Sequence, residues 1–131
     1  MAGESALAVG NCAKTILVVD DEEVMRSLVG EVLDENGFVV LEASSVDQAI
    51  EVLGQNPVDI VLTDFTLPRR NGLSLACHIR DSGMSAPVVL MTGNSARELQ
   101  DQATASGVCA IVQKPFHEDD LVKTLMDALG L

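Results

Sequence analysis

Aromatic residues are scarce in this chain: three Phe and neither Trp nor Tyr among 131 residues. Platforms on which nucleic-acid bases could stack are therefore missing. Basic residues are also few, 8 against 20 acidic ones, for a net charge of −12. Direct nucleic-acid binding needs clusters of Lys and Arg for the phosphates, and only Arg69 and Arg70 stand together. The three cysteines, Cys12, Cys77 and Cys109, are far apart with no CxxC spacing. That argues against a disulfide framework or a zinc site, and Cys77 and Cys109 read as small core residues. No stretch approaches the ~18 apolar residues of a membrane span. Residues 1–13 lack the basic start and long apolar core of a secretory signal. These absences predict a cytoplasmic chain with no membrane segment, whose partners are proteins, cations or both.

Apolar residues make up 47% of the chain, enough for the core of one domain. The rest is organised around Val58–Gly72, VDIVLTDFTLPRRNG. Val58, Ile60, Val61 and Leu62 form a largely β-branched run that ends abruptly in Asp64. Such a run reads as a strand buried on both faces of a parallel sheet, with Asp64 at its carboxyl edge, where these sheets place their chemistry.

Residues 1–13 show no periodicity and read as a flexible tail, leaving 14–131 as the domain. Lys14–Asp20 is a second apolar run ending in carboxylates, Asp20 and Asp21. Val24, Leu28, Val29, Val32 and Leu33 then recur at helical spacing over Glu22–Glu35, and Asn36-Gly37 stops that helix. Phe38–Glu42 is strand-like. Ser45 and Gln48 fit a capping box opening a helix with Ala49, Ile50 and Leu53 inward, before Gly54 and Pro57. Leu73–Arg80 is a helix with Ala76 and Ile79 on one face. Val88–Met91 is the fourth strand, followed by Thr92-Gly93. Ser95 and Glu98 fit a second capping box, on a helix whose large apolar anchor is Leu99. Val108–Val112 is the fifth strand, followed by Lys114-Pro115. A last helix runs from about His117 to Leu129, with Glu118, Asp119 and Asp120 where the helix dipole favours them.

Five strands alternating with five helices predict an α/β fold: a doubly wound five-stranded parallel sheet of order 2-1-3-4-5, with helices on two faces. In that order the first and third strands are neighbours, so Asp20, Asp21 and Asp64 meet at one edge. Like charges ~4 Å apart repel by about 4 kcal/mol at an effective dielectric of 20. A hard divalent cation removes that penalty, and few protein ligands plus water and phosphate is how Mg²⁺ is held. Thr92 and Lys114, at the ends of the fourth and fifth strands, offer a hydroxyl and an ammonium to an anion beside it. Together these groups suit phosphoryl transfer with Asp64 as nucleophile. Each has a plainer explanation: Asp20-Asp21 as a helix cap, Thr92 as a strand end, Lys114 as a surface residue. That all should fall at matched strand ends by accident is the weaker account.

The pattern resembles the receiver domain of two-component response regulators over about Lys14–Leu129. The resemblance rests on LVVDDE at Leu17–Glu22, on Asp64 with Leu67-Pro68 and Gly72, on Met91-Thr92-Gly93 and on Lys114-Pro115-Phe116. It implies a flavodoxin-like fold and phosphorelay signalling, with Asp64 accepting a phosphoryl group from a histidine kinase or histidine phosphotransfer protein. It further implies that Asp21, Asp64 and the Thr66 carbonyl bind Mg²⁺ directly, Asp20 through water, and that Thr92 and Lys114 grip the phosphoryl oxygens. The chain would then be no conventional enzyme. It would promote its own phosphorylation and dephosphorylation and switch its binding to a downstream protein. Two positions depart from the family pattern: Ile111 stands where an aromatic or His is usual, and Gly93 where Ala is commoner.

Two rival readings are weaker. An aspartyl-phosphate phosphatase of the haloacid dehalogenase type needs a second acid two residues after the nucleophile, where this chain has Thr66. A flavin-binding flavodoxin-like protein is suggested by Thr92–Ser95, but flavin phosphate loops follow the first strand, and no Trp or Tyr is present to stack on the ring. With the sequence stopping after the fifth helix, a stand-alone regulator and a receiver excised from a hybrid histidine kinase read alike, and no output domain is expected.

Overall fold

A computed structural model describes residues 13–131; the tail assigned to residues 1–13, Cys12 included, falls outside it apart from Ala13. The strands are β1 (Thr15–Val19), β2 (Val39–Ala43), β3 (Ile60–Asp64), β4 (Val88–Thr92) and β5 (Val108–Gln113). The helices are α1 (Glu23–Glu35), α2 (Val46–Gln55), α3 (Gly72–Asp81), α4 (Ala96–Ala105) and α5 (Glu118–Leu129). All strands pair in parallel, in the order β2-β1-β3-β4-β5, so the expected 2-1-3-4-5 topology is the observed one.

Successive strand residues point to opposite faces, and here both faces are covered. Ile16, Val18, Ile60, Leu62, Val89 and Met91 pack beneath Val29 and Leu33 of α1 and Leu121 and Leu125 of α5. Leu17, Val19, Val61 and Leu90 pack on the other face against Ala49, Leu75, Ile79, Leu99 and Ala103 of α2, α3 and α4. A buried Leu or Ile side chain contributes about 1.5–3 kcal/mol, so the two layers together set the strand register. That register aligns the carboxyl ends: Val19 lies opposite Thr63 and Asp64 opposite Met91.

Local signals hold in part. Ser45 Oγ accepts from the Gln48 N–H (3.1 Å), but Gln48 Oε1 accepts from Ser44 N–H and Oγ–H instead of closing back on Ser45. The second capping box does not form. Ser95 makes no side-chain cap bond; the Ala96 N–H donates to Gln113 Oε1 at 3.2 Å. The acceptor comes from β5, seventeen residues away, which no local pattern discloses. Gly37 closes α1 at φ 91°, in the left-handed region expected of it.

Two burial expectations need correction. Val24 (74% exposed) and Leu28 (55%) do not face the core; Val29, Gly30 and Leu33 do. At about 100° per residue Val24 lies on the opposite side of the helix from Leu33, and each four-residue step, to Leu28 and then Val32, turns only about 40° back toward the core. Cys109 is exposed and Cys77 only half-buried. Val88 pairs with Val108 and Val89 with Ala110, so Cys109 is the extra residue of a β-bulge and leaves the ladder.

Candidate functional site

Asp20, Asp64, Thr92 and Lys114 are each placed at or just beyond a strand end. Asp20 follows β1 directly and is fully buried. Its N–H donates to Ala43 O (3.1 Å) and its Oδ1 accepts from Glu22 N–H (2.9 Å). Its other oxygen, Oδ2, is buried with no hydrogen-bond partner. Asp21 is exposed at the rim. Asp64, the last residue of β3, is 7% exposed, and one carboxylate oxygen each of Asp20, Asp21 and Asp64 lies within 4.8 Å of the others.

Lys114 crosses to this cluster from the end of β5. Its Nζ donates to Asp64 Oδ2 at 3.1 Å and stands 3.9 Å from Asp20 Oδ2. Its backbone N–H donates to Thr92 O (2.7 Å), which ties the ends of β4 and β5 together, and the peptide bond to Pro115 is cis. Thr92 is buried; its Oγ1 accepts from Asn94 N–H (3.0 Å), a bond that leaves the hydroxyl proton unused. Thr66 sits exposed in the β3–α3 loop with its N–H 3.4 Å from Asp64 Oδ1, a long contact. The same loop turns at Arg69, at φ 67°, with Arg70 N–H donating to Pro68 O (2.7 Å). It ends at Asn71, whose side chain caps α3 through the N–H groups of Leu73 and Ser74. Asp20, Asp21, Asp64, Thr66, Thr92 and Lys114 thus lie at or beside one sheet edge.

The family profile described as the response regulator receiver domain matches residues 16–126. The chain belongs to the receiver family. It is 29% identical to the chemotaxis protein CheY of Halobacterium salinarum over 117 residues, which is 89% of this chain and 98% of that one. It is 36% identical to the sensor histidine kinase RcsC of Salmonella typhi over 110 residues, 84% of this chain but 12% of RcsC. It thus spans a small segment of the kinase and nearly the whole of the CheY. Among solved structures, the signal receiver domain of an HD domain-containing protein from Pseudomonas fluorescens Pf-5 superimposes with a TM-score of 0.85 at 26% identity, covering 95% of this chain and 92% of that one.

This receiver's acid cluster suits a hard cation on its own chemistry. Three carboxylates offer oxygen donors only, and the buried Asp20 Oδ2 has no hydrogen bond and only the Lys114 ammonium, 3.9 Å away, facing its charge. Asp20, Asp21 and Asp64 are the residues that could hold Mg²⁺. Burial pushes the Asp20 carboxyl above its ordinary value; the Glu22 N–H opposes that rise, and the neighbouring Asp64 charge adds to it.

A stability prediction follows from that direction. A carboxyl whose folded-state value is raised contributes stability below its unfolded value, near 3.8, that is lost as pH rises through the folded value. In chelator, Asp20→Asn and wild type should be equally stable at strongly acidic pH. The variant should gain about 1–3 kcal/mol toward neutrality, by removing an ionised, unsatisfied group. Urea unfolding across pH measures this; coincident curves at neutral pH would contradict it.

The receiver's sequence gave no signal for two contributors. Gln113 caps α4 from β5, and Arg26 of α1 bonds the Asp20 carbonyl at 2.7 Å. Both act through tertiary contacts of residues that, read alone, are ordinary surface positions.

Proposed function

We propose that this receiver domain acts in a cytoplasmic phosphorelay by accepting a phosphoryl group onto Asp64 from a phosphohistidine of a histidine kinase or histidine phosphotransfer protein. The observation that carries the reading is the Lys114 ammonium 3.1 Å from Asp64 Oδ2, beside two further carboxylates. An Asp64 carboxylate oxygen forms the new P–O bond as the donor's P–N bond breaks. The imidazole nitrogen leaves with the bonding pair and takes up a proton. Asp21, Asp64 and the Thr66 carbonyl would hold Mg²⁺ directly and Asp20 through water, and the ion would offset the charge of the carboxylates and of the phosphoryl oxygens. Lys114 exchanges its carboxylate contact for a phosphoryl oxygen, a charge-assisted bond, and the spare Thr92 hydroxyl proton serves another. Nothing is turned over except the domain's own acyl phosphate. Incubation with acetyl phosphate, followed by intact mass, tests this: one phosphoryl group should add with Mg²⁺ present and none in chelator. Modification that ignores chelator would refute it.

The exposed stripe on α1 supports a protein donor. Met25, Leu28, Val32, Phe116 and Leu121 line an apolar groove of about 530 Å³ that reaches Lys114, with Glu31, Glu35 and Glu118 around it. A helix seated there, with apolar anchors and flanking basic residues, would bring its phosphohistidine to Asp64. Leu28→Glu should then slow transfer from a phosphorylated donor protein about tenfold or more, the scale of a lost interface anchor, and leave acetyl phosphate kinetics unchanged. Equal slowing with both donors would count against this surface.

A further inference from the structure

Arg26 is the one α1 side chain hydrogen-bonded to the backbone of the acid cluster among the described residues. Its Nη1 donates to the Asp20 carbonyl (2.7 Å) and its Nε to Glu42 Oε1 on β2 (2.8 Å), with the side chain only 17% exposed. The Asp20 N–H is already held by Ala43 O and its Oδ1 by the Glu22 N–H. Arg26 takes the remaining backbone group. With that third hold, Asp20 keeps one fixed orientation, and its Oδ2, which has no hydrogen bond, stays at the cluster. Glu22 gives α1 no side-chain cap and Asp21 is exposed, so Arg26 is the long side chain that ties this turn to both α1 and β2.

We propose that Arg26, seated by Glu42, is a positioning residue that holds Asp20 and Asp21 ready for a divalent cation; the inference rests on the cation reading of the site. Two effects of Arg26 oppose each other. Its positive charge beside the carboxylates weakens cation binding, whereas its clamp on the turn strengthens it by fixing ligands before the ion arrives. A guanidinium engaged by Glu42 has already lost its freedom and part of its field, so the clamp dominates. Groups that orient ligands in this way change metal affinity by about 10- to 100-fold when removed.

The sign of one measurement separates these effects. Mg²⁺ is titrated into the unphosphorylated full chain, without any phosphodonor, and followed by heat of binding. Arg26→Gln should weaken binding about tenfold despite losing a repelling charge. Arg26→Lys should recover part of the loss, since an ammonium can still reach the Asp20 carbonyl. Glu42→Gln should weaken binding too, and the double variant should be little worse than Arg26→Gln alone, as expected of a coupled pair. In chelator, hydrogen exchange at the Asp21 and Glu22 amides should quicken in Arg26→Gln, a readout that involves no metal. Unchanged or tighter Mg²⁺ binding with unchanged exchange would overturn the proposal. Failure of wild type to bind Mg²⁺ would instead overturn the cation reading on which it rests. Should Arg26→Gln not fold, Glu42→Gln decides, and full affinity there counts against the clamp.

Discussion

Asp64→Asn should end phosphoryl acceptance while leaving the domain folded. Asn is nearly isosteric with Asp and keeps the backbone role of Asp64 at the end of β3, opposite Met91. It also keeps a carbonyl oxygen for the Lys114 Nζ, now 3.1 Å from Oδ2. What it lacks is the anionic oxygen that attacks phosphorus, and an amide oxygen is a poor substitute. Removing a nucleophile from an assembled site costs on the order of 10⁴-fold in rate or more, so acetyl phosphate should leave the variant unmodified on the time scale that saturates wild type. One of the three clustered charges disappears as well, so in chelator the variant should unfold at or slightly above the wild-type temperature. Intact mass and a melting curve measure both parts. Modification at the wild-type rate would move the acceptor to another residue and with it the whole functional reading.

Gly72→Ala should be the most damaging Gly→Ala change among the described glycines. Gly72 opens α3, and its N–H donates to Phe65 O at 2.8 Å, pinning the helix start against the loop that leaves Asp64. A Cβ there would run into the Asp64 carbonyl oxygen and come within 2.8 Å of Leu90 Cδ1. Leu90 is fully buried and the carbonyl belongs to the strand end, so neither can yield without moving the site or the core. Overpacking typically costs about 1–3 kcal/mol, and the upper end, about 3 kcal/mol, applies where neither neighbour can give way. For a domain of this size that is roughly 10 °C in melting temperature. The methyl should also shift Asp64 relative to Lys114 and slow phosphorylation, whereas Gly54→Ala, with open space around its Cβ, should do neither. A Gly72→Ala protein with wild-type melting and phosphorylation would show that the α3 start is slack.

α4 shows how local and tertiary determinants divide. Its core contacts are Leu99 and Ala103, as the spacing of apolar residues predicts. Its ends are held from elsewhere: Gln113 at the first turn, and the Arg80 guanidinium on the Ala105 carbonyl at the last. A helix with so small an apolar contact depends on these polar ties, and neither is visible within its own segment.

The sequence by itself determined the architecture and which polar side chains stand together at one sheet edge. Alternation of apolar runs with amphipathic segments leaves few topologies for a parallel sheet, and any such sheet brings its strand ends to one edge. Asp20, Asp21, Asp64, Thr92 and Lys114 could be grouped on that ground alone, because strand ends are legible from hydrophobic periodicity. Periodicity has a coarse angular resolution, however. It did not show that Val24 and Leu28 lie off the core contact, nor that a bulge lifts Cys109 out of the ladder. The tertiary structure alone decided which oxygen of Asp20 is left unpartnered, which arm reaches its carbonyl, and which side chain caps α4. Those are hydrogen bonds between residues on different elements. Their geometry depends on distances of tenths of an ångström, set by packing of both faces of the sheet at once.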